Sequence, residues 1–403
     1  MKKIVKRILK ILGGLLAVLC VVAIAFIAMN FTLMKNLPNA QDAGVDAMYI
    51  ANQTPLQKIQ GNPTDKLELS QSNKVQFKVA HENWEQTGGK SLLVWHQGEL
   101  IYETYAEGVL STDRSQSFSM HKSILGLVAA TMEADGLIDL DDPVSLYIDA
   151  YKKGGRETLT IRNMLQHESG LERYPFSPPS FDALNLLLSH KIEKTAIKAK
   201  RVEYEGVFDY SNINYQVAGA AMRRALKDKK SQTYRAYLSE RIWEPAGASD
   251  AYLWSETPKG APRFYAGLQA SGRDWLKLGI LIAQNNGDIV PKSAIEAFLT
   301  PGRLNSDYGL GIWLGSPEDG MREYGPSTKL AVPSAAPFIL EDTVFFDGFG
   351  GQRVYISQKE KLVIVRVGDV RFDWDDTALP NLIAASLDLN SPQIEEKTLT
   401  GED

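Results

Sequence analysis

Between Lys10 and Lys35 the chain carries no charge, and no other feature constrains its fold as much. The run from Ile11 to Met34, ILGGLLAVLCVVAIAFIAMNFTLM, is 24 residues long. About 20 apolar residues let a helix cross a bilayer. Such a run has no polar face to turn to water, so it cannot sit on the surface of a soluble core. Lys2, Lys3, Lys6, Arg7 and Lys10 precede it. A basic head before an apolar run also describes a secretory signal, but a signal core is ~7–15 residues long. Here Ala23-Ile24-Ala25 lies inside the run, not after it. The expected reading is a single uncleaved N-terminal transmembrane helix over residues 11–34. A cleaved signal and secretion form the alternative. The positive-inside rule then puts the chain after ~35 on the periplasmic or extracytoplasmic side of the inner membrane. Leu19 is too large to precede a lipoprotein cleavage at Cys20, so Cys20 reads as a membrane-facing residue.

Once the basic head is set aside, 39 basic residues oppose 49 acidic ones, and the exported part stands near −10. An acidic chain lacks the basic footprint of a nucleic-acid binder. The single cysteine excludes a disulfide scaffold and a Cys-rich zinc module. It also excludes a thiol nucleophile, because it lies in the apolar run. Seven Trp, sixteen Tyr and fourteen Phe exclude a disordered chain.

Residues 35–70 are polar and turn-rich and read as a spacer. The pattern over ~71–88 fits an amphipathic helix. Ser91–His96 and Leu100–Ala106 flank Gln97-Gly98-Glu99, a hairpin signal. Helical patterns follow at Ser119–Ala134, Thr160–His167 with Thr160 as cap, Phe181–Leu188, Asn214–Leu226, Thr233–Trp243 and Ser271–Asn285. Strand patterns return at Tyr308–Leu314, Thr343–Phe346, Arg353–Ser357 and Lys361–Val367, before a last helix over Thr377–Leu387. Strands at both ends with helices between them predict an α+β fold with an antiparallel sheet. The sheet region is expected over about 71–115 and 265–390, an all-helical region over about 120–264, and a C-terminal tail over 391–403.

The chain has five histidines, at 81, 96, 121, 167 and 190, none in its C-terminal half. It has no G-x-S-x-G elbow and no H-E-x-x-H, which argues against a Ser–His–Asp hydrolase and a zinc protease. A serine can instead pass its proton to a lysine whose pKa is lowered. Spacing i, i+3 puts both on one helix face. Ser119-Met120-His121-Lys122 is the only S-x-x-K in the chain and opens a predicted helix. The helix start would also favour an oxyanion. The plain alternative is a helix cap at Ser119 with Lys122 in solvent.

Tyr210-Ser211-Asn212 is the only Y-x-N. A tyrosine beside the Ser–Lys pair can relay a proton to a leaving group, and an asparagine can hydrogen-bond the substrate. The alternative is a turn that caps the next helix. Gly348-Phe349-Gly350-Gly351-Gln352 precedes a strand. Glycines there let a substrate approach the backbone, and an N–H could supply half of an oxyanion hole with that of Ser119. The alternative is a hairpin turn.

These three pieces, in this order, resemble the serine β-lactamase and penicillin-binding-protein superfamily. The nearest branch is that of class C β-lactamases, β-lactamase-like esterases, D-alanyl-D-alanine carboxypeptidases and nylon-oligomer hydrolases. LTIRNMLQHESGLE, FDYSNINYQVAGAAM and DGFGGQRVYISQKEKLVIVRVG support it, and the similarity runs from about Lys90 to Leu387. The resemblance implies a β-lactamase/transpeptidase-like fold over 71–390: a five-stranded antiparallel sheet with flanking helices, an all-helical region, and the active site between them. It implies Ser119 as the acylated nucleophile, Lys122 as its base, Tyr210 as the proton relay and Asn212 as the second-motif asparagine. Phe349-Gly350-Gly351 then matches the third motif, and Gln352 offers the oxyanion amide. That motif usually begins with Lys or His, which helps hold a substrate carboxylate. Here neither occurs between Lys329 and Lys359, and a phenylalanine offers apolar contact instead. The expectation is a serine hydrolase of esters, small amides or peptides, with no metal or organic cofactor. A D-alanyl-D-alanine carboxypeptidase or β-lactamase, and an inactive ligand-binding homologue, are the alternatives.

Overall fold

The computed structural model describes residues 14, 18–28, 30–31, 55–64, 67–70, 77–174, 180–202, 206–317, 320–328, 330–371 and 373–389. Among them no helix is long and apolar enough to cross a membrane. The span expected over residues 11–34 lies partly outside the described residues. Within it, residues 18–28 are helical, and Val18, Leu19, Val21, Val22 and Ile24 are exposed. The C-terminal tail, 391–403, also lies outside.

The stretch expected to be a spacer holds a strand, β1 (Leu56–Ile59). Helix α1 (Lys78–Gln86) leads into the hairpin of β2 (Gly89–His96) and β3 (Glu99–Tyr105). Its turn residues Gln97 and Gly98 both have positive φ, 49° and 103°, as a tight two-residue hairpin turn requires. After β4 (Ser115–Gln116) comes α2 (Met120–Ala134), buried from Met120 to Met132. A helix apolar on every side belongs in a core.

The helical region follows. Helix α3 (Ile161–Leu165) starts at Thr160, which with Asn163 forms a capping box. Then come α4 (Phe181–Leu188), α5 (Ile192–Ile197), α6 (Asn212–Lys230) and α7 (Tyr234–Leu238). The helix expected to reach Trp243 changes to a single π turn over Ser239–Trp243. Strands β5 (Ala251–Trp254) and β6 (Leu268–Ala270) lead to α8 (Gly272–Gln284) and α9 (Lys292–Leu299). The chain ends with β7 (Trp313–Leu314), β8 (Met321–Glu323), β9 (Ala331–Pro333), β10 (Val344–Gly348), β11 (Gln352–Ser357), β12 (Leu362–Gly368) and α10 (Ala378–Ser386).

The main sheet is antiparallel, in the order β3-β2-β12-β11-β10-β7. Its sixth strand, β7, extends the five-stranded sheet that the resemblance implied. Helix α8 packs on β12, β11 and β2, while α1 and α10 pack together, with α1 against β2. Helix α2 sits between β10, α6 and α9, and so joins the sheet to the helical region. A second sheet, β1-β5-β6-β4, takes its edge strand β1 from the stretch read as spacer.

Only Trp313–Leu314 of the expected strand over Tyr308–Leu314 is a strand. Glycines break it. Gly311 has φ +89°, and a Cβ there would lie 2.5 Å from the Lys122 carbonyl oxygen. The segment is a turn pressed onto α2, held by a hydrogen bond from the Ser123 hydroxyl to the Gly311 carbonyl.

Candidate active site

Ser119 stands at the N-cap of α2 with helical backbone, and its hydroxyl makes no capping bond. That disposes of the plain reading of Ser119 as a cap. Phe118, just before it, has φ +47°, a strained value for a bulky residue. This turn lifts Ser119 out of the preceding chain, and the Phe118 ring packs edge-on against Phe349, 5.9 Å between centroids.

One turn on, Lys122 is 1% exposed. Its Nζ lies 3.0 Å from Ser119 Oγ and donates to Asn212 Oδ1 at 2.9 Å and to the Tyr265 carbonyl at 3.0 Å. Burial pushes Lys122 well below the ordinary lysine range; Asp347 opposes the shift and Arg173 adds to it. A neutral amine has two N–H groups and a lone pair. Asn212 Oδ1 and the Tyr265 carbonyl can only accept, so they take the two N–H groups. The lone pair is then left for the Ser119 hydroxyl.

Tyr210 is buried and lines the cleft together with Ser119. Burial, and next Asp347, push its phenol well above the ordinary value, so it is neutral and keeps its proton. Lys122 Nζ lies 4.6 Å from the centre of the Tyr210 ring. Ser211 caps α6 by accepting from the Ile213 N–H, while Asn212 turns to Lys122. The Y-x-N turn is thus both a cap and part of the cluster.

His167 holds Tyr210 from both sides. Its carbonyl accepts the Asp209 N–H at 3.1 Å, and its Nδ1 accepts the Ser211 N–H at 3.1 Å. The His167 ring lies 4.5 Å from that of Tyr210. Accepting at Nδ1 requires a neutral ring with its proton on Nε2. Burial, with help from Lys122 and Arg173, lowers its pKa well below the ordinary value. His121 faces away, bonded to the Arg263 and Ala266 carbonyls and the Tyr234 hydroxyl.

Ser119, Tyr210, Asn212, Phe349, Gly350 and Gly351 line one cleft of about 200 Å³. Gln352 does not. It is 1% exposed and pins β11 to the end of β12, donating from Nε2 to the Gly368 carbonyl and accepting the Gly368 N–H at Oε1. Its backbone pairs in register with Gly348. The Gln352 side chain is therefore spent within the sheet, and only its backbone N–H could serve an oxyanion. Phe349, Gly350 and Gly351 are the third-motif residues that line the cleft with Ser119.

Arg353, the cation nearest that motif, is also not available to a substrate. Its guanidinium is met by Asp347 at 2.6 Å, by Asp376 at 2.9 Å, and by the Gly348 and Gln352 carbonyls at 2.7 and 2.9 Å. Asp376 also pairs with Arg322. Asp347 lines the cleft and accepts from the Tyr324 hydroxyl at 2.8 Å. The sequence reading missed Asp347, Tyr324 and His167; Arg173 also lines the cleft. Asp347 adjoins the glycine run, which was the available signal. Among the described residues no group of His, Cys, Asp or Glu is placed to hold a metal.

The Beta-lactamase family model matches residues 78–385. A Bacillus subtilis protein assigned as penicillin-binding protein PbpX is 25% identical over 260 residues, 62% of each chain. The teichoic acid D-alanine hydrolase of Staphylococcus aureus is 24% identical over 202 residues, 47% of this chain and 48% of that one. The chain thus matches less than two thirds of the length of these relatives. A Bacillus anthracis structure assigned as a 6-aminohexanoate-dimer hydrolase superposes with a TM-score of 0.61 at 21% identity. It covers 84% of this chain and 89% of its own, and it speaks for the fold.

Proposed function

The chain belongs to the Beta-lactamase family and is a serine hydrolase of it; from that premise we propose that it cleaves ester or small amide bonds through an acyl-enzyme on Ser119. The observation that carries this is Lys122, fully buried and 3.0 Å from the Ser119 hydroxyl with its other two hydrogen bonds spent on acceptors. The Lys122 lone pair takes the Ser119 proton as Oγ attacks the substrate carbonyl. The negative charge moves to the carbonyl oxygen, beside the helix start and the backbone of the Phe349-Gly350 stretch. One such backbone donor is worth ~10²–10³ in rate. The proton on Lys122 then reaches the leaving group through Tyr210, the carbonyl re-forms, and the alcohol or amine departs. Water enters by the same steps in reverse and releases the acid.

The saturated Arg353 and the apolar Phe349 count against a D-alanyl-D-alanine carboxypeptidase or β-lactamase, which would need a cation for the substrate carboxylate. The intact Ser119–Lys122–Tyr210 cluster counts against an inactive homologue. We place the hydrolase outside the inner membrane on the N-terminal segment. The uncharged run and the exposed apolar side chains of residues 18–28 support this. A relative named for hydrolysing teichoic acid D-alanine also favours an extracytoplasmic substrate.

The test is intact-mass measurement after incubation with a fluorophosphonate, with a penicillin in parallel. One adduct from the fluorophosphonate, lost in Ser119→Ala, is expected. An adduct of the same mass on folded Ser119→Ala refutes the assignment. Stoichiometric labelling by the penicillin favours the cell-wall reading.

A further inference from the structure

Among the described residues lining the cleft beside Ser119, Asp347 is the only acid. It is 7% exposed, whereas Arg353 behind it is 1% exposed. The pair is therefore a dipole whose negative end faces the cleft. Asp347 Oδ1 meets Arg353 and Oδ2 accepts from Tyr324. An ionised carboxylate has about four acceptor positions, so roughly two stay open. Arg353, which also lines the cleft, has each of its three nitrogens on an acceptor, so the carboxylate more than the guanidinium is what this wall offers. Asp376 and Arg322 complete a buried set of two acids and two bases, which keeps Asp347 charged without exposing a cation. Arg173 and Arg371, which also line the cleft, have acids of their own in Asp209 and Asp373. Asp347 lines the same cleft as Ser119 and Tyr210, so a group bound to it shares that cleft with the acyl group.

We propose that Asp347 is a specificity-determining residue that accepts hydrogen bonds from a protonated amino group on the acyl side of the substrate. The preferred substrates are then aminoacyl esters or amides with a free amine. This rests on the serine-hydrolase reading. A charge-assisted hydrogen bond of this kind discriminates by ~10-fold or more. An acyl group with a carboxylate at that place is rejected, because it would meet a like charge.

The experiment compares alanine benzyl ester, in both enantiomers, with benzyl isobutyrate, which puts a methyl where the ammonium stands. Benzyl alcohol release gives kcat/KM, each divided by the hydroxide rate of the same ester. At pH 6.5 at least one alanine ester is expected to exceed the isobutyrate by ~10-fold or more. The ratio should fall as pH rises through ~8 and the amine loses its proton. Asp347→Asn should bring the pH 6.5 ratio close to one. If that variant does not fold, the pH dependence of the wild-type ratio decides alone. Equal values at pH 6.5, or a ratio that does not fall with pH, overturn the inference. Fluorophosphonate labelling of Ser119 separates the two failures: labelling without amine preference sinks this inference only, and no labelling sinks the hydrolase reading with it.

Discussion

Replacing Asn212 by aspartate should move the pH at which the enzyme switches on. The change is isosteric and puts a carboxylate where Asn212 Oδ1 now accepts from Lys122 Nζ at 2.9 Å. Lys122 can act as base only when neutral, and burial holds its pKa well below the ordinary lysine value. Activity therefore rises as pH climbs through that lowered pKa. A carboxylate alongside favours the ammonium, raises the pKa, and shifts the rise to higher pH. Two unit charges ~4 Å apart near a protein surface interact by about 4 kcal/mol. Asn212 is half-buried at the cleft, so solvent takes roughly half of this, leaving about 2 kcal/mol, or ~1.5 pH units at 1.36 kcal/mol per unit. At a pH below both rises, kcat/KM should drop ~30-fold, and it should recover at higher pH. The assay is kcat/KM for a p-nitrophenyl ester from pH 5 to 9.5, with the rate of fluorophosphonate labelling as a second readout. A plateau that falls while the acid limb stays in place would refute Lys122 as the base.

Tyr210→Phe should keep the fold, since the ring still stacks on Trp313 and meets Tyr324 edge-on, yet lower kcat by ~10²–10⁴ with little change in KM; a urea midpoint equal to the parent shows that the loss is chemical. Asp376→Asn removes one charge from a fully buried set and leaves Arg322 and Arg353 short of a partner, at a cost of about 3–5 kcal/mol, read from urea unfolding. Gly126→Ala should destabilise, although alanine in a helix ordinarily gains about 1 kcal/mol over glycine. Its Cβ would fall 1.5 Å from the Leu310 carbonyl oxygen, so the turn pressed onto α2 must move; a Tm at or above the parent would contradict that packing.

Ser119 and Lys122 could be paired from the sequence because a single helical turn fixes their relation. Tyr210 and Asn212 were legible as a motif, but what holds them was not. His167 is 43 residues away from Tyr210 in the chain, and its left-handed backbone, φ +59°, leaves no mark in a hydrophobic pattern. Strands β2, β3, β11 and β12 could be read because they are long enough to show alternation. The second sheet could not. Its strands have two to four residues each, and β1 finds its partner β5 almost 200 positions later. Local sequence says nothing about such a partner. The glycine run shows the same limit. Side chains alternate along a strand, so the residue that faces the cleft depends on a register that sequence does not fix. The Gln352 side chain turns into the sheet, while Asp347 was passed over and lies on the cleft wall.

The geometry of the cluster does not depend on the loops around it. The Tyr210 N–H donates to the Tyr324 carbonyl at 2.9 Å, and the Tyr324 hydroxyl donates to Asp347. Asp347 holds Arg353, which donates to the Gly348 carbonyl. A Cβ on Gly348 would lie 2.5 Å from the Ser117 carbonyl oxygen, so only glycine lets β10 close on the turn that carries Ser119. From there Ser119 meets Lys122, whose Nζ lies 4.6 Å from the centre of the Tyr210 ring. The contacts form a ring that passes through the start of α2, the turn before α6 and the end of β10. Every member is buried or nearly so, so water cannot replace a broken bond cheaply. Such a ring fixes the hydroxyl, the amine and the phenol to one another. Arg353 does the holding from behind the strand, and the wall it supports is free to carry the opposite charge.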